Sequence, residues 1–243
     1  MVERADLERF RLANAELSRL VQADLEAFFR SLNLSNPAAV RDALLEFMPV
    51  LTAQYGDVAA TLAADWYDET RAASGAAGRF RAATAPGVPT EAVEAKVRYL
   101  AGNLWTPDPA AMLGGLLVAA DKYVKQPGRD TMASNAKREG VRWARVPTGK
   151  KTCSWCLVLA SRDAVYASKQ SAGGDGHKFH GACDCVATRI AKASDYPAGY
   201  LPDDYYAMYQ AARSEAGSGD IKDIAASFRR LHPDSVTDAV HNH

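Results

Sequence analysis

The stretch that decides the fold is Val141-Arg-Trp-Ala-Arg-Val146, Pro147-Thr-Gly149, Lys150-Lys-Thr-Cys-Ser-Trp-Cys156. Before it, apolar residues recur at helical spacing. Here they alternate around Trp143, as a strand does, and then turn through Pro147 to Gly149. Thr152 is placed to cap a short helix from Cys153 to about Ala160. Ala164-Val-Tyr-Ala167 reads as a second strand, residues 168–176 as a Ser/Gly/Ala loop, and Cys183 to Ile190 as a third strand.

Upstream, Phe10, Leu17, Val21, Phe28 and Leu32 form one apolar helical stripe. Asn36-Pro37 marks a second helix start, with Val40, Leu44 and Phe47 on its buried face. Pro49 is expected to kink or end that helix, and a third helix runs from about Asp57 to Ala73. The breakers Ser74 to Gly78 and Ala85 to Pro89 enclose a loop through Arg79-Phe80-Arg81. Thr90 is expected to cap a helix reaching about Gly102, and Pro107 and Pro109 open another through Val124. Gln126-Pro-Gly128 is expected to interrupt it before a polar helix ends near Glu139. Downstream of Pro202 the pattern is helical again and divided by Gly217-Ser-Gly219, with Tyr205, Tyr206 and Tyr209 as packing residues.

The expected architecture is therefore α+β. A mainly α-helical bundle (1–139) precedes a small strand-helix-strand module with a Cys/His cluster (140–195) and a helical C-terminal tail (196–243).

Positive and negative charges balance, 29 against 29 over 243 residues, so no polyanionic or polycationic partner is implied globally. A local collar stands out: Lys137, Arg138, Arg142, Arg145, Lys150 and Lys151, against the single acid Glu139. It reads either as a solvated rim or as a contact for phosphate or an acidic protein face. The longest apolar run, Met112 to Ala120, is far below the roughly 20 residues of a membrane span, so no membrane partner is expected. No secretory leader is apparent, which points to assembly in a reducing cytosol.

All four cysteines fall in Cys153-Ser-Trp-Cys156 and His180-Gly-Ala-Cys183-Asp-Cys185. Cys153, Cys156, His180, Cys183 and Cys185 are five candidates for the four positions of a structural zinc ion. Three other outcomes stay open. One is a disulfide staple such as Cys156 with Cys183. Another is a wholly reduced structural set, buried as small hydrophobes. The last is a reactive thiol, with Cys153 or Cys156 beside His177 or His180. His241 and His243, at the C-terminal tip, carry no specific signal.

The run Arg145-Val-Pro-Thr-Gly-Lys-Lys-Thr-Cys-Ser-Trp-Cys-Leu-Val-Leu-Ala-Ser-Arg162, followed by Val165-Tyr166, Phe179-His180 and Cys183-Asp-Cys185, resembles the C-terminal module of phage Mu F-like minor head proteins. The form is closest to the group from actinobacterial phages and prophages. Asp65-Trp-Tyr-Asp-Glu-Thr-Arg71 extends the likeness into the helical part. One departure is Gly181-Ala182, where many relatives carry proline and polar residues.

The resemblance implies a role in head morphogenesis. It implies residence in the virion, in the head interior or at the portal vertex, after assembly in the bacterial cytoplasm. It also implies association with the portal protein and with capsid and scaffold proteins, and contact with packaged double-stranded DNA. For the five Cys/His positions it implies a structural part. Members of this group are also described as capsid maturation proteases. Under that reading Ser161 or a cysteine would act with His177 or His180, although the chain has no G-x-S-x-G elbow.

Overall fold

The structure, a computed structural model, describes residues 3–148, 151–164 and 185–237. It is mostly helical with one small antiparallel sheet, in agreement with the α+β expectation.

Helix α1 (Arg4–Ser31) buries Leu7, Leu17, Val21, Leu25 and Phe29. Phe10 and Phe28, expected on the same stripe, pack at its edges. Phe10 stacks on Trp66 with ring centroids 5.1 Å apart, and Phe28 stacks on Phe47. Helix α2 starts where expected, Asn36 accepting the Ala39 amide at 3.3 Å with Pro37 in the first turn.

It then runs unbroken over Pro37–Ala73, so Pro49 neither ends nor divides it. A proline inside a helix costs about 3 kcal/mol. Each buried Leu, Met or aromatic side chain returns about 1.5–3 kcal/mol. Leu44, Met48 and Leu51 around the proline, with Trp66 and Tyr67 further on, outweigh it. The Thr52 hydroxyl also donates to the Met48 carbonyl at 2.8 Å beside the proline.

The same correction applies to Gln126-Pro-Gly128. Helix α4 (Met112–Glu139) passes through it, and Pro127 and Gly128 are buried at the crossing with α2. A Cβ on Gly128 would lie 2.9 Å from the Ala59 carbonyl oxygen, and one on Gly56 3.2 Å from Pro127 Cγ. The motif is a seat for close helix approach rather than a break.

Helix α3 (Thr90–Leu100) covers the far end of α2 and α4. Thr90 is its first helical residue, and Pro89 occupies the cap position without a side-chain bond. Strands β1 (Arg142–Val146) and β2 (Val186–Ile190) pair antiparallel, Arg142 opposite Ile190 and Val146 opposite Val186. Helix α5 (Ser154–Ala160) lies between them in sequence. The expected strand at 164–167 and the loop at 168–176 fall almost wholly outside the described residues.

Helices α6 (Pro202–Ala216) and α7 (Ile221–Leu231) form a hairpin turned at Gly217, whose φ of 60° suits glycine. They pack on α5 through Leu157, Val158, Ala212, Ile224 and Phe228. Tyr205 and Tyr209 join that packing, but Tyr206 is half exposed.

Two large cores result. The upper one, around Val21, Leu44, Met48, Val97 and Leu116, is wholly within α1 to α4. The lower one joins Leu7, Ala63, Trp66, Tyr67 and Met132 of the bundle to Trp143, Val146, Cys153, Cys156, Cys185 and Ile190. The bundle and the cysteine module therefore share one core across the 139/140 division.

Candidate functional site

The cysteine helix is built from its first residue. Cys153, not Thr152, is the cap of α5, and its Sγ accepts the Cys156 amide at 3.2 Å. Thr152 instead pairs with the C-terminal segment. Its amide donates to the Ser235 carbonyl at 2.9 Å, and its carbonyl accepts from the Thr237 amide at 3.3 Å. Residues 235–237 thus fasten the residue just before the C-x-x-C pair.

Cys153, Cys156 and Cys185 are all buried. Cys153 and Cys156 share one turn, and an amide aimed at the sulfur is a contact that orients a sulfur ligand. Cys185 sits at the foot of β2 and lines a cleft of about 180 Å³ with Phe10, Asn14 and Met132. Among the described residues no three Cys, His, Asp or Glu side chains converge to hold a metal. Cys153 and Cys156 stand three residues apart at the start of α5 and are the two described residues of the C-x-x-C pair. His180 and Cys183, the other candidates and the second member of the proposed disulfide, lie outside the described residues, as do His177, His241 and His243.

Ser161 donates its hydroxyl to the Val158 carbonyl at 2.8 Å and is buried. That bond closes the last turn of α5.

The basic collar is dispersed. Arg145 is 0% exposed and belongs to the interior, which removes it from any outward contact. Lys151 donates to the Pro233 carbonyl at 3.0 Å. Arg138 lies over the Phe80 ring, 4.5 Å from its centroid, and donates to the Arg81 carbonyl. Lys137 and Arg142 are exposed, and Lys150 lies outside the described residues.

The residues that seat the module on the bundle did not stand out in the sequence. Arg189, the penultimate residue of β2 and only 2% exposed, makes two bonds to Glu139 at 2.6 and 2.7 Å and a third to Asp195 at 3.3 Å. Glu139 also accepts from the Tyr67 hydroxyl at 2.6 Å and from Arg71 at 3.1 Å. Arg189 reaches Ser74 Oγ at 3.1 Å. Four segments, α2, the end of α4, β2 and the turn at Asp195, thus meet on one ion group.

Burial alone would raise the Glu139 carboxyl. The hydrogen bonds from Arg189 and Tyr67, with the charges of Arg189 and Arg71, outweigh it and hold the carboxyl below its ordinary value. Burial, then the bond to this carboxylate, pushes the Tyr67 phenol up.

A weak signal was present in the sequence. Glu139 is the one acid of the collar, and Arg189 is the one charge between Val186 and Ile190. Neither has a motif spacing, since the pair is 50 residues apart.

A family model described as VG15 protein matches residues 1–212. The gene 15 protein of Mycobacterium phage D29 is 29% identical over 121 residues, covering 37% of this chain and 44% of that protein. The gene 15 protein of Mycobacterium phage L5 is 26% identical over 129 residues, with the same two shares. The matched part of the chain thus spans less than half the length of these curated relatives. No solved structure matches.

Proposed function

The chain belongs to the VG15 protein family, and from that premise we propose that it is a minor head protein acting in phage head morphogenesis, associated with the portal. The carrying observation is the reach of the family match. Residues 1–212 include the bundle, the shared core and the cysteine helix, so the match spans the arrangement on which the resemblance to Mu F-like head proteins rests. The two gene 15 relatives come from phages, which agrees with a phage-derived protein.

In this reading the module is structural. Cys153 and Cys156 supply two ligands of a zinc ion, and the 180–185 segment supplies the rest. A bound structural zinc adds its binding energy to folding. Capsid and scaffold proteins are partners at the portal vertex, and packaged DNA is the neighbour inside the head.

Mass spectrometry of purified proheads and mature virions tests the assignment. The chain should be present and intact in both, and should remain with the portal when heads are disrupted. Absence from both particles would overturn it. A chain present in proheads but lost from mature virions as scaffold is cleaved would point to the maturation protease instead. For the metal, elemental analysis of protein purified without chelator should give about one zinc per chain. A value below roughly 0.2 would remove the zinc from the account.

A further inference from the structure

The fold gathers a set of cations that no sequence window contains. Helices α2 and α4 end at the same side of the molecule, where β2 also ends. Lys192, just past β2, donates to the Ser74 carbonyl at 2.8 Å. Arg138 lies on Phe80 and bonds the Arg81 carbonyl, which brings Arg79 and Arg81 to the end of α4. Arg142 opens β1 opposite Ile190, two residues before Lys192. Lys137 completes the group from the last turn of α4.

Arg79, Arg81, Lys137, Arg138, Arg142 and Lys192 are all exposed. Only part of this charge is cancelled. Glu139 and Asp195 are consumed internally by Arg189, Asp68 lies 3.7 Å from Arg81, and Asp163 and Asp203 share the surroundings of Tyr196 with Arg142.

We infer that this face binds the phosphate backbone of duplex DNA without sequence preference. Guanidinium groups outnumber ammonium groups, which suits phosphate oxygens. Arg138 is held in place by stacking on Phe80, whose ring Arg71 also approaches at 5.3 Å. Among the described residues of segments 74–81, 137–142 and 190–192, none is an exposed large apolar side chain. A docking site for an acidic protein would need such anchors at its centre, whereas a phosphate backbone needs none.

The inference rests on the head-protein reading for where DNA is met, but its test uses purified protein alone. A chain found in virions that fails to bind DNA would sink this inference and leave the other standing.

The experiment is fluorescence anisotropy with a labelled duplex of about 30 base pairs across a salt series. Wild-type affinity should fall with salt with a log–log slope of about −4 to −5, near 0.9 for each phosphate neutralised. Arg79→Glu/Arg81→Glu/Lys137→Glu/Arg142→Glu should weaken binding at least about tenfold at low salt and reduce the slope by about 3. A control with the same change of charge elsewhere, Arg19→Glu/Arg30→Glu/Arg213→Glu/Lys222→Glu, should weaken it far less. Should the fourfold variant misfold by circular dichroism, Arg79→Gln/Arg81→Gln on the surface loop should still give a several-fold loss. No binding by the wild-type chain, or equal losses in patch and control variants, would overturn the proposal.

Discussion

The upper and lower cores are built from the same three long helices but held by different forces. In the upper core α1, α2 and α4 meet mainly through aliphatic and aromatic side chains, with Leu44, Val97 and Leu116 fully enclosed and a polar bond, Tyr55 hydroxyl to Asp24, at the exposed edge. In the lower core the same helices receive a sheet, and Glu139, Arg189 and Asp195 are buried where it seats. The comparison teaches where sensitivity lies. Apolar packing degrades gradually as side chains are trimmed. A buried ion group fails abruptly when its central member is lost, because the remaining charges stay buried with only part of their pairing.

The largest effect is expected from removing the centre of that group. Arg189→Met leaves Glu139 and Asp195 without their shared cation and should cost about 3–5 kcal/mol in denaturant unfolding. Adding Glu139→Met should recover part of that loss. No recovery would show that the ion group does not act as a unit.

In the upper core Leu44→Ala should cost about 3 kcal/mol, within the usual range for such cavities, and should do so equally at pH 7 and pH 5. Gly128→Ala tests the junction between the two cores. Its new Cβ meets the Ala59 carbonyl at 2.9 Å, so α2 and α4 must part, at a cost of about 1–3 kcal/mol despite the better helix former.

The smallest effect is expected from acid below about pH 4.5. The Glu139 carboxyl is depressed in the folded state. Its contribution is therefore complete above its ordinary value of 4.5 and is lost as pH falls through the lower folded value. Stability should fall on that side in the wild type, and the Glu139→Met/Arg189→Met variant should fall less.

The contrast also explains what could be read from the residues alone. The upper core was legible because Val21 on one helix and Val40 and Leu44 on the next obey helical spacing. The last residues of the two strands, Val146 and Ile190, were legible because apolar alternation stops there. Pro49 and Pro127 misled because a local penalty was weighed without the tertiary packing that exceeds it. The cap of α5 shifted by one residue, since cysteine sulfur rather than the Thr152 hydroxyl takes the amide.

In the collar, Lys137 and Arg142 stayed outside while Arg145 turned inward. Side-chain direction in a strand depends on which face the bundle covers. The Glu139–Arg189 seat and the gathered cations are products of topology. They join residues that no local window brings together.

The central structural claim is that the cysteine module and the lower bundle are one cooperative unit. Native-state hydrogen exchange tests it most directly, by comparing the amides of β1 and β2 with those of α2 around Trp66 and Tyr67. In the wild type both sets should exchange at the same opening free energy, and Arg189→Met should lower both together. Strand amides that open well below those of α2, and that alone respond to Arg189→Met, would contradict the claim and make the module a separately folding appendage.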